Sequence, residues 1–442
     1  MAEMTEEASR FVEKVRSGDA TLGIVGLGYV GLPLALVCSR KLKRVVGIDV
    51  DARRVDAIGR GKSYIDDVPD AQLGEAVRAG KFSATADYGT LRECDVVIIC
   101  VPTPLRKTGD PDLSFIVQSV DAIARHLAPG KLVVLESTSY PGTTRELVCP
   151  RLEEDGLVAG RDFWLAFSPE RVDPGPAYGD YKIEDIPKVV GGITPSCTRV
   201  AAAFYGRIMK TVVEVSTSTV AEMVKLLENT YRSVNIAMVN ELALMCHELG
   251  IDVWEVVDAA KTKPYGFEAF YPGPGLGGHC IPVDPFYLAW KARLHGFEPR
   301  FIDLAGRINA EMPRHVVQLA MDLLNQQGKP LRDARVHVLG VAYKRDVSDT
   351  RESPALLIME ILGSKGALVS YTDDHVPAVT LADGTKMASV PLERSDLPWK
   401  DLVIIVTDHS DVPWGRVVKE ARLILDTRNV LKDYDEEHIH KI

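Results

Sequence analysis

From residue 21 to about residue 215 the chain alternates short, nearly continuous apolar runs with amphipathic stretches, the pattern of βαβ units. Residues 21–25 and 45–49 read as the first two strands, and residues 95–101 and 131–136 follow as further strands. Runs with no polar alternation fit a parallel sheet covered on both faces. From Thr219 to about Asn309 the spacing becomes helical. Val220, Met223, Val224, Leu227, Tyr231, Val234, Met238, Val239 and Leu242 recur at that period, and Gly250 offers a stop. Thr219 and Glu222 have the spacing of a capping box, each side chain serving an exposed N–H. A helix of about thirty residues is long for a globular domain. It suits a bridge between domains and a dimer surface; a long core helix in a monomer is the alternative. Beyond Lys329-Pro330 a second αβ pattern begins, with apolar runs at 335–340, 367–371, 401–406 and 422–426.

The fold class predicted is α/β, with two Rossmann-like, doubly wound domains joined by a long central helix. The expected divisions are an N-terminal arm over 1–20, a first αβ domain over 21–215, a central helical, dimerising domain over 216–328 and a second αβ domain over 329–442. The start is polar and mixed in charge, without the apolar core of a signal peptide, and reads as a loose arm or a short surface helix.

At 442 residues the chain is too long for one ordinary core. Apolar content of 46% and charged content of 26% are those of a soluble globular protein. No apolar run nears the roughly 18 residues that a bilayer crossing needs, so no membrane partner is expected. A net charge of −10 argues against nucleic acid as the main partner, while leaving room for a phosphate-bearing small ligand. Seven cysteines, scattered and never in CxxC spacing, point to free thiols in a reducing cytoplasm and to no cysteine-based metal site.

Candidate chemistry starts at Gly26-Leu27-Gly28-Tyr29-Val30-Gly31, directly after the first predicted strand. Gly26 permits the tight turn, Gly28 lets a pyrophosphate approach the backbone, and Gly31 lets helix and strand pack closely. Residues 32–37 can open a helix, with Pro33 tolerable only in its first turn. Asp49 ends the second strand, 23 residues after Gly26, where a carboxylate binds ribose hydroxyls. It disfavours a 2′-phosphate, so NAD is expected rather than NADP, although Arg53 and Arg54 stand close enough to soften that preference.

A second centre is PGPGLGGHCIPVDP at 272–285, which places Cys280 among four glycines and four prolines with Asp284 four residues on. Such a stretch is a poor helix and a poor strand, but a rigid loop that a bulky ligand can approach. Cys38, Cys94, Cys100, Cys149, Cys197 and Cys246 sit in or near apolar runs and read as inert core residues. Lys225 and Asn229, four apart on one helical face, can donate hydrogen bonds to a developing oxyanion; a solvated surface pair is the alternative. ESTSYPGTT at 136–144 puts hydroxyls just past a strand's carboxyl end, and SPERVDPG at 168–175 presents Glu170 as a candidate base. Ordinary loop chemistry is the alternative for both.

Together these segments resemble the UDP-glucose/GDP-mannose dehydrogenase family over residues 22–429. The ordered set is GLGYVG, VPTP at 101–104, ESTSYPGTT, SPERVDPG, AEMVKLLENTYR at 221–232, PGPGLGGHCIPVDP and YKRDVSDTRESP at 343–354. The resemblance implies that a nucleotide sugar's C6 hydroxyl is oxidised to a carboxylate in two hydride transfers, consuming two NAD⁺ and one water. It places NAD on the first αβ domain and the UDP-sugar on the second. Cys280 matches the nucleophile that holds the aldehyde as a thiohemiacetal and then as a thioester. Lys225, Asn229 and Asp284 match positions that stabilise the oxyanion and organise water. Thr138 and Glu170 match the remaining catalytic positions, with Glu170 as the base for thioester hydrolysis.

By the same resemblance Tyr29, Val30, Asp49, Arg54, Thr103 and Thr138 join the three motif glycines in the cofactor set, with Arg351 beside the NAD. Lys344 and Arg428 match cations that hold the substrate. Glu170, Arg171, Val172, Lys225, Asn229, Tyr271, Gly273 and Gly277 complete the expected substrate set. A homodimer or higher homo-oligomer in the cytoplasm is expected.

Departures from the glucose-oxidising branch refine the substrate. Arg171-Val172 stand where that branch has Phe-Leu, while His279 and Val283 replace a small polar residue and a lysine. That branch's cross-dimer arginine has no clear match near Pro264. With KPYGF at 263–267, these features look closer to the branch oxidising UDP-N-acetylhexosamines, and UDP-N-acetylglucosamine is favoured over its manno epimer and over UDP-glucose. Two other classes remain: a two-electron hydroxyacid dehydrogenase that needs no thiol, and an inactive NAD-binding scaffold.

Overall fold

The structure, a computed structural model, describes residues 5–65, 68–106, 110–171, 182–278 and 280–442. The chain divides into two units, Met1–Glu228 with Trp290–Gly296 and Asn229–Ala289 with Phe297–Ile442.

In the first unit the strands are β1 (Thr21–Val25), β2 (Arg44–Ile48), β3 (Phe82–Thr85), β4 (Val96–Ile99), β5 (Leu132–Leu135), β6 (Trp164–Phe167), β7 (Lys188–Gly192) and β8 (Val212–Glu214). They lie in the order β3-β2-β1-β4-β5-β6-β7-β8. Pairing is parallel from β3 to β6, β7 runs antiparallel to β6, and β8 is parallel to β7. The first six strands therefore follow the dinucleotide-binding order, which reverses between β1 and β4. Successive residues serve opposite layers: Val96, Ile98, Leu132 and Val134 enter one apolar cluster, and Val97, Ile99, Val133 and Leu135 the other. Both faces are covered, which is why these strands show no polar alternation.

The polar start forms helix Glu6–Ser17, capped by the Thr5 hydroxyl, which accepts from Ala8 N. Ala8, Phe11, Val12 and Val15 are buried along one stripe, and the Phe11 ring lies 5.0 Å from that of Trp164. Of the two forms expected for this segment the helix is present, and its apolar stripe is packed.

Helix Ser218–Leu249 runs for 32 residues, from the first unit into the second. Its start differs from the capping box read in the sequence. The Thr217 hydroxyl accepts from Val220 N, so the cap sits two residues earlier than Thr219 would place it. Glu222 is fully buried, and its carboxylate accepts from Gly142 N, Thr144 N and the Thr144 hydroxyl. Three donors in the ESTSYPGTT turn outcompete the helix's own N–H for that carboxylate. Burial pushes the Glu222 carboxyl up to about 7, against the opposing pull of the three donors.

In the second unit the strands are β9 (Arg335–Leu339), β10 (Leu368–Thr372), β11 (Ala378–Thr380), β12 (Lys386–Ala388), β13 (Leu402–Ile405), β14 (Ile424–Asp426) and β15 (Ile439–Lys441). Five form a parallel sheet in the order β10-β9-β13-β14-β15, and β11 pairs with β12 as a separate hairpin. This is the other common doubly wound order, whose reversal lies between β9 and β13. Helices Val253–Lys261, Asp284–Leu294 and Arg300–Gln326 follow the long helix, so the region read as helical is helical.

Candidate active site

The GLGYVG turn lies at the carboxyl end of β1, beside the strand-order reversal where open αβ sheets bind ligands. Gly26 has φ +91°, in the left-handed region that glycine tolerates, and its N–H donates to Ile48 O at 2.8 Å. At Gly31 a Cβ would overlap the Gly26 carbonyl oxygen; at Gly28 it would meet nothing within 4 Å. The turn is thus packed tight against its own helix and open where a pyrophosphate would approach. Helix Gly31–Ser39 starts there, with Pro33 in its first turn.

Asp49 follows β2 and is 6% exposed. One of its oxygens accepts from Leu27 N at 2.9 Å and pairs with Arg54 at 3.1 Å, and the other accepts from Asp51 N. The carboxylate therefore pins the glycine turn as well as facing the ribose position. It has lone pairs beyond those three bonds. Thr103 follows β4 and Thr138 follows β5; both are partly buried. Tyr29 is exposed and Val30 partly so. This turn, its spare carboxylate capacity and the hydroxyls at neighbouring strand ends fit NAD.

Glu170 lies beyond β6, with one oxygen held by Arg171 N at 2.8 Å and the other by Lys188 Nζ at 3.3 Å. The Arg171 guanidinium is engaged by Glu228 at 2.6 Å and by Pro187 O at 2.7 Å. Val172, expected in the substrate set, lies outside the described residues.

In the second unit Cys280 opens the turn into helix Asp284–Leu294, its carbonyl accepting from Val283 N and Asp284 N. Six cysteines are buried and Cys280 is partly exposed. Asp284, 2% exposed, accepts from the Asn229 carboxamide. Lys225 is 9% and Asn229 6% exposed, which removes the reading of a solvated surface pair. The glycines of the loop do a job the sequence did not announce. Gly278, with φ +79°, donates its N–H to Arg351 O at 2.9 Å, and a Cβ on Gly277 would come within 2.6 Å of Tyr343 Cβ. Only glycine lets this loop lie flat on the YKRDVSDTRESP segment.

Three family-level patterns match the chain: the NAD binding domain of the UDP-glucose/GDP-mannose dehydrogenase family over residues 20–209, its central domain over 219–311, and its UDP binding domain over 337–433. The chain belongs to the UDP-glucose/GDP-mannose dehydrogenase family. It is 36% identical over 420 residues to a UDP-N-acetyl-D-mannosamine dehydrogenase of Pyrococcus horikoshii, covering 93% of this chain and 96% of that one. To a UDP-N-acetyl-D-glucosamine 6-dehydrogenase of Pseudomonas aeruginosa it is 36% identical over 362 residues, covering 81% and 84%. The solved structure of a UDP-D-ManNAc dehydrogenase from Pyrococcus horikoshii superposes with a TM-score of 0.86 at 34% identity, covering 96% of this chain and 99% of that one.

As a member of this family the chain is an NAD-dependent nucleotide-sugar dehydrogenase. Among the described residues no helix is long and apolar enough to cross a membrane. The second sheet, in the UDP binding domain, gathers cations at its reversal. Lys344 follows β9, and Arg345 pairs with Asp408 beyond β13. Arg428 follows β14, its Nε donating to Val406 O at 2.7 Å. Gly273 N donates to Asn240, and Tyr271 hydrogen-bonds Asp258 at 2.7 Å while stacking on Trp254. The Arg351 guanidinium is bidentate on Asp349.

Nearby, Asp346, His375 and His409 bring ligand atoms within 4.8 Å of one another. The His409 ring is already committed: Nδ1 accepts from Asp346 N at 3.0 Å, so Nε2 carries the proton donated to Asp373 at 3.1 Å. It works as a buried bridge between two loops rather than offering a lone pair.

Glu222 yields a test of the turn that carries Thr138. Glu222→Gln leaves at least one buried N–H facing an amide nitrogen, at a cost of about 1–3 kcal/mol. The carboxyl's folded pKa of about 7 lies above its unfolded value, so the folded state binds the extra proton in the window below 7. Wild-type stability from this group is full at the acid end and declines as pH rises toward 7. Urea titrations should give a larger wild-type advantage over Glu222→Gln at pH 5 than above pH 7.

Proposed function

We propose that this dehydrogenase converts a UDP-N-acetylhexosamine to its uronate by a four-electron oxidation at C6, with the carbon held on Cys280. Support comes chiefly from Cys280 itself, a partly exposed thiol among six buried ones, with the buried Asn229–Asp284 pair beside it in the same unit. NAD⁺, when bound by the GLGYVG turn and Asp49, supplies the hydride acceptor for each oxidation. Sγ adds to the aldehyde carbon, and its thiol proton passes to the oxygen, giving the thiohemiacetal. Loss of hydride and of the hydroxyl proton leaves a thioester. Lys225 and Asn229 donate hydrogen bonds to the oxygen that carries the developing charge. Glu170 takes a proton from water as it attacks the thioester carbon; the C–S bond breaks and sulfur leaves with the electron pair. Holding the aldehyde as a sulfur adduct keeps it from escaping between the two oxidations.

Lys344 and Arg428 bind the UDP portion in this reading, with Tyr271, Gly273 and Gly277 lining the sugar. The domain division at 20, 215 and 328 belongs to the proposal, as does a homodimer in the cytoplasm. Met223, Leu227, Tyr231 and Met238 on the long helix are exposed, and a second copy is the proposed cover.

UDP-N-acetylglucosamine remains the favoured sugar. The manno epimer is a second reading, favoured by equal identity to the mannosamine enzyme over 420 residues against 362 for the glucosamine enzyme. A panel of UDP-N-acetylglucosamine, UDP-N-acetylmannosamine, UDP-glucose and GDP-mannose with NAD decides. We expect an acetylated sugar to exceed UDP-glucose in kcat/KM by about tenfold or more. Two NADH should form per sugar consumed; a ratio near one would sink the four-electron reading.

A further inference from the structure

Behind Glu170 the first unit buries a set of polar groups that the proposed steps do not use. Lys188, at the start of β7, is 4% exposed, and its Nζ lies 3.0 Å from Glu136 Oε2 and 3.3 Å from Glu170 Oε2. Glu136, just past β5 and 2% exposed, also accepts the hydroxyl of Tyr205 from helix Pro195–Ile208. With Arg171 N on its other oxygen, Glu170 has a fixed donor on each side.

Stability alone does not require this arrangement, because an apolar residue replacing a buried ion pair is often neutral or better. Its distinctive consequence is electrostatic. Burial disfavours the Lys188 ammonium, but Glu136 and Glu170 outweigh burial and hold its pKa above the ordinary lysine value. Burial pushes the Tyr205 hydroxyl far up, so it stays a donor to Glu136. The neighbouring Cys100 and Cys38 thiols are raised by burial and stay neutral, and Arg171 and Glu228 neutralise each other. Among the described groups, Lys188 and Glu136 act on Glu170 with opposite sign.

We infer that Lys188 is a positioning residue for Glu170: its ammonium orients the carboxylate and keeps it ionised, and Glu136, anchored by Tyr205, limits how strongly it does so. The inference rests on the reading of Glu170 as the hydrolytic base, and its electrostatic half is measurable without substrate or cofactor. The full chain labelled with ¹³C at the glutamate carboxyl is titrated by NMR, with Glu170→Gln identifying the signal. Lys188→Met should raise the Glu170 midpoint by about one pH unit or more, since an opposite charge within hydrogen-bonding reach is lost. Glu136→Gln should lower it by about half a unit, because a like charge is removed. Lys188→Arg, which keeps the charge, should return the midpoint toward the wild-type value. The acidic limb of the pH–rate profile for acid formation should move with the same signs.

A midpoint that stays put, or moves the same way in Lys188→Met and Glu136→Gln, overturns the inference. If Lys188→Met does not fold, Glu136→Gln decides alone, and an unchanged or raised midpoint overturns it. Were the midpoints to shift as stated while Glu170→Gln still hydrolysed the thioester, the reading of Glu170 as base would fall and the electrostatic coupling would stand.

Discussion

Cys280→Ala is expected to reduce NAD-coupled acid formation by about 10³-fold or more, equivalent to about 4 kcal/mol of lost transition-state stabilisation. The side chain is partly exposed at the head of a turn, so removing sulfur leaves no core cavity. Stability should therefore change by no more than about 0.5 kcal/mol. NAD affinity should stay within about a factor of three, because the glycine turn and Asp49, the proposed cofactor groups, are left unchanged. Steady-state NADH formation, thermal melting and an NAD titration check the three parts separately. A variant that keeps most of its activity would support the two-electron alternative, which relies on no thiol.

Gly31→Ala should damage fold and cofactor site together. The added Cβ overlaps the Gly26 carbonyl oxygen, which is backbone and cannot swing aside. Gly26 has no slack either, since its own Cβ position lies 2.5 Å from Cys100 O and its N–H is bonded to Ile48 O. Either the helix Gly31–Ser39 backs away from β1 or the turn opens. We expect a stability loss of about 3 kcal/mol and at least a tenfold weaker NAD affinity as the pyrophosphate approach shifts. Urea denaturation and fluorescence titration with NAD measure the two losses. An alanine variant matching wild type in both would mean that the turn is neither strained nor cofactor-bearing.

Much of both sheets was legible because their strands are buried on two sides. Residues 21–25, expected as the first strand, are β1, and the runs read at 131–136 and 401–406 enclose β5 and β13. The long helix was equally plain, ending at Leu249 before Gly250 as its spacing required. Harder to see were β6 and β8, of four and three residues, and the reversed direction of β7. β8 is largely exposed and lacks the buried apolar run that marks its neighbours, and the direction of pairing is a contact between distant segments that local sequence does not encode. The capping box failed for a related reason. Glu222 had the right spacing, yet a turn some 80 residues upstream in the chain offered it three buried donors.

By itself the sequence determined the α/β class, the glycine turn after β1, the placement of Cys280 in a glycine-rich loop and the family to which these motifs belong, since each is written in contiguous residues whose backbone needs are local. Tertiary structure decided the rest. It buried Lys225 and Asn229, joined Asn229 to Asp284, laid the cysteine loop on the segment around Tyr343, and set Lys188 between Glu136 and Glu170. No spacing rule connects positions 136, 170, 188 and 205. Three neighbouring strands and one helix bring them together, and only once water is excluded there does the ammonium gain the strength to govern a carboxylate.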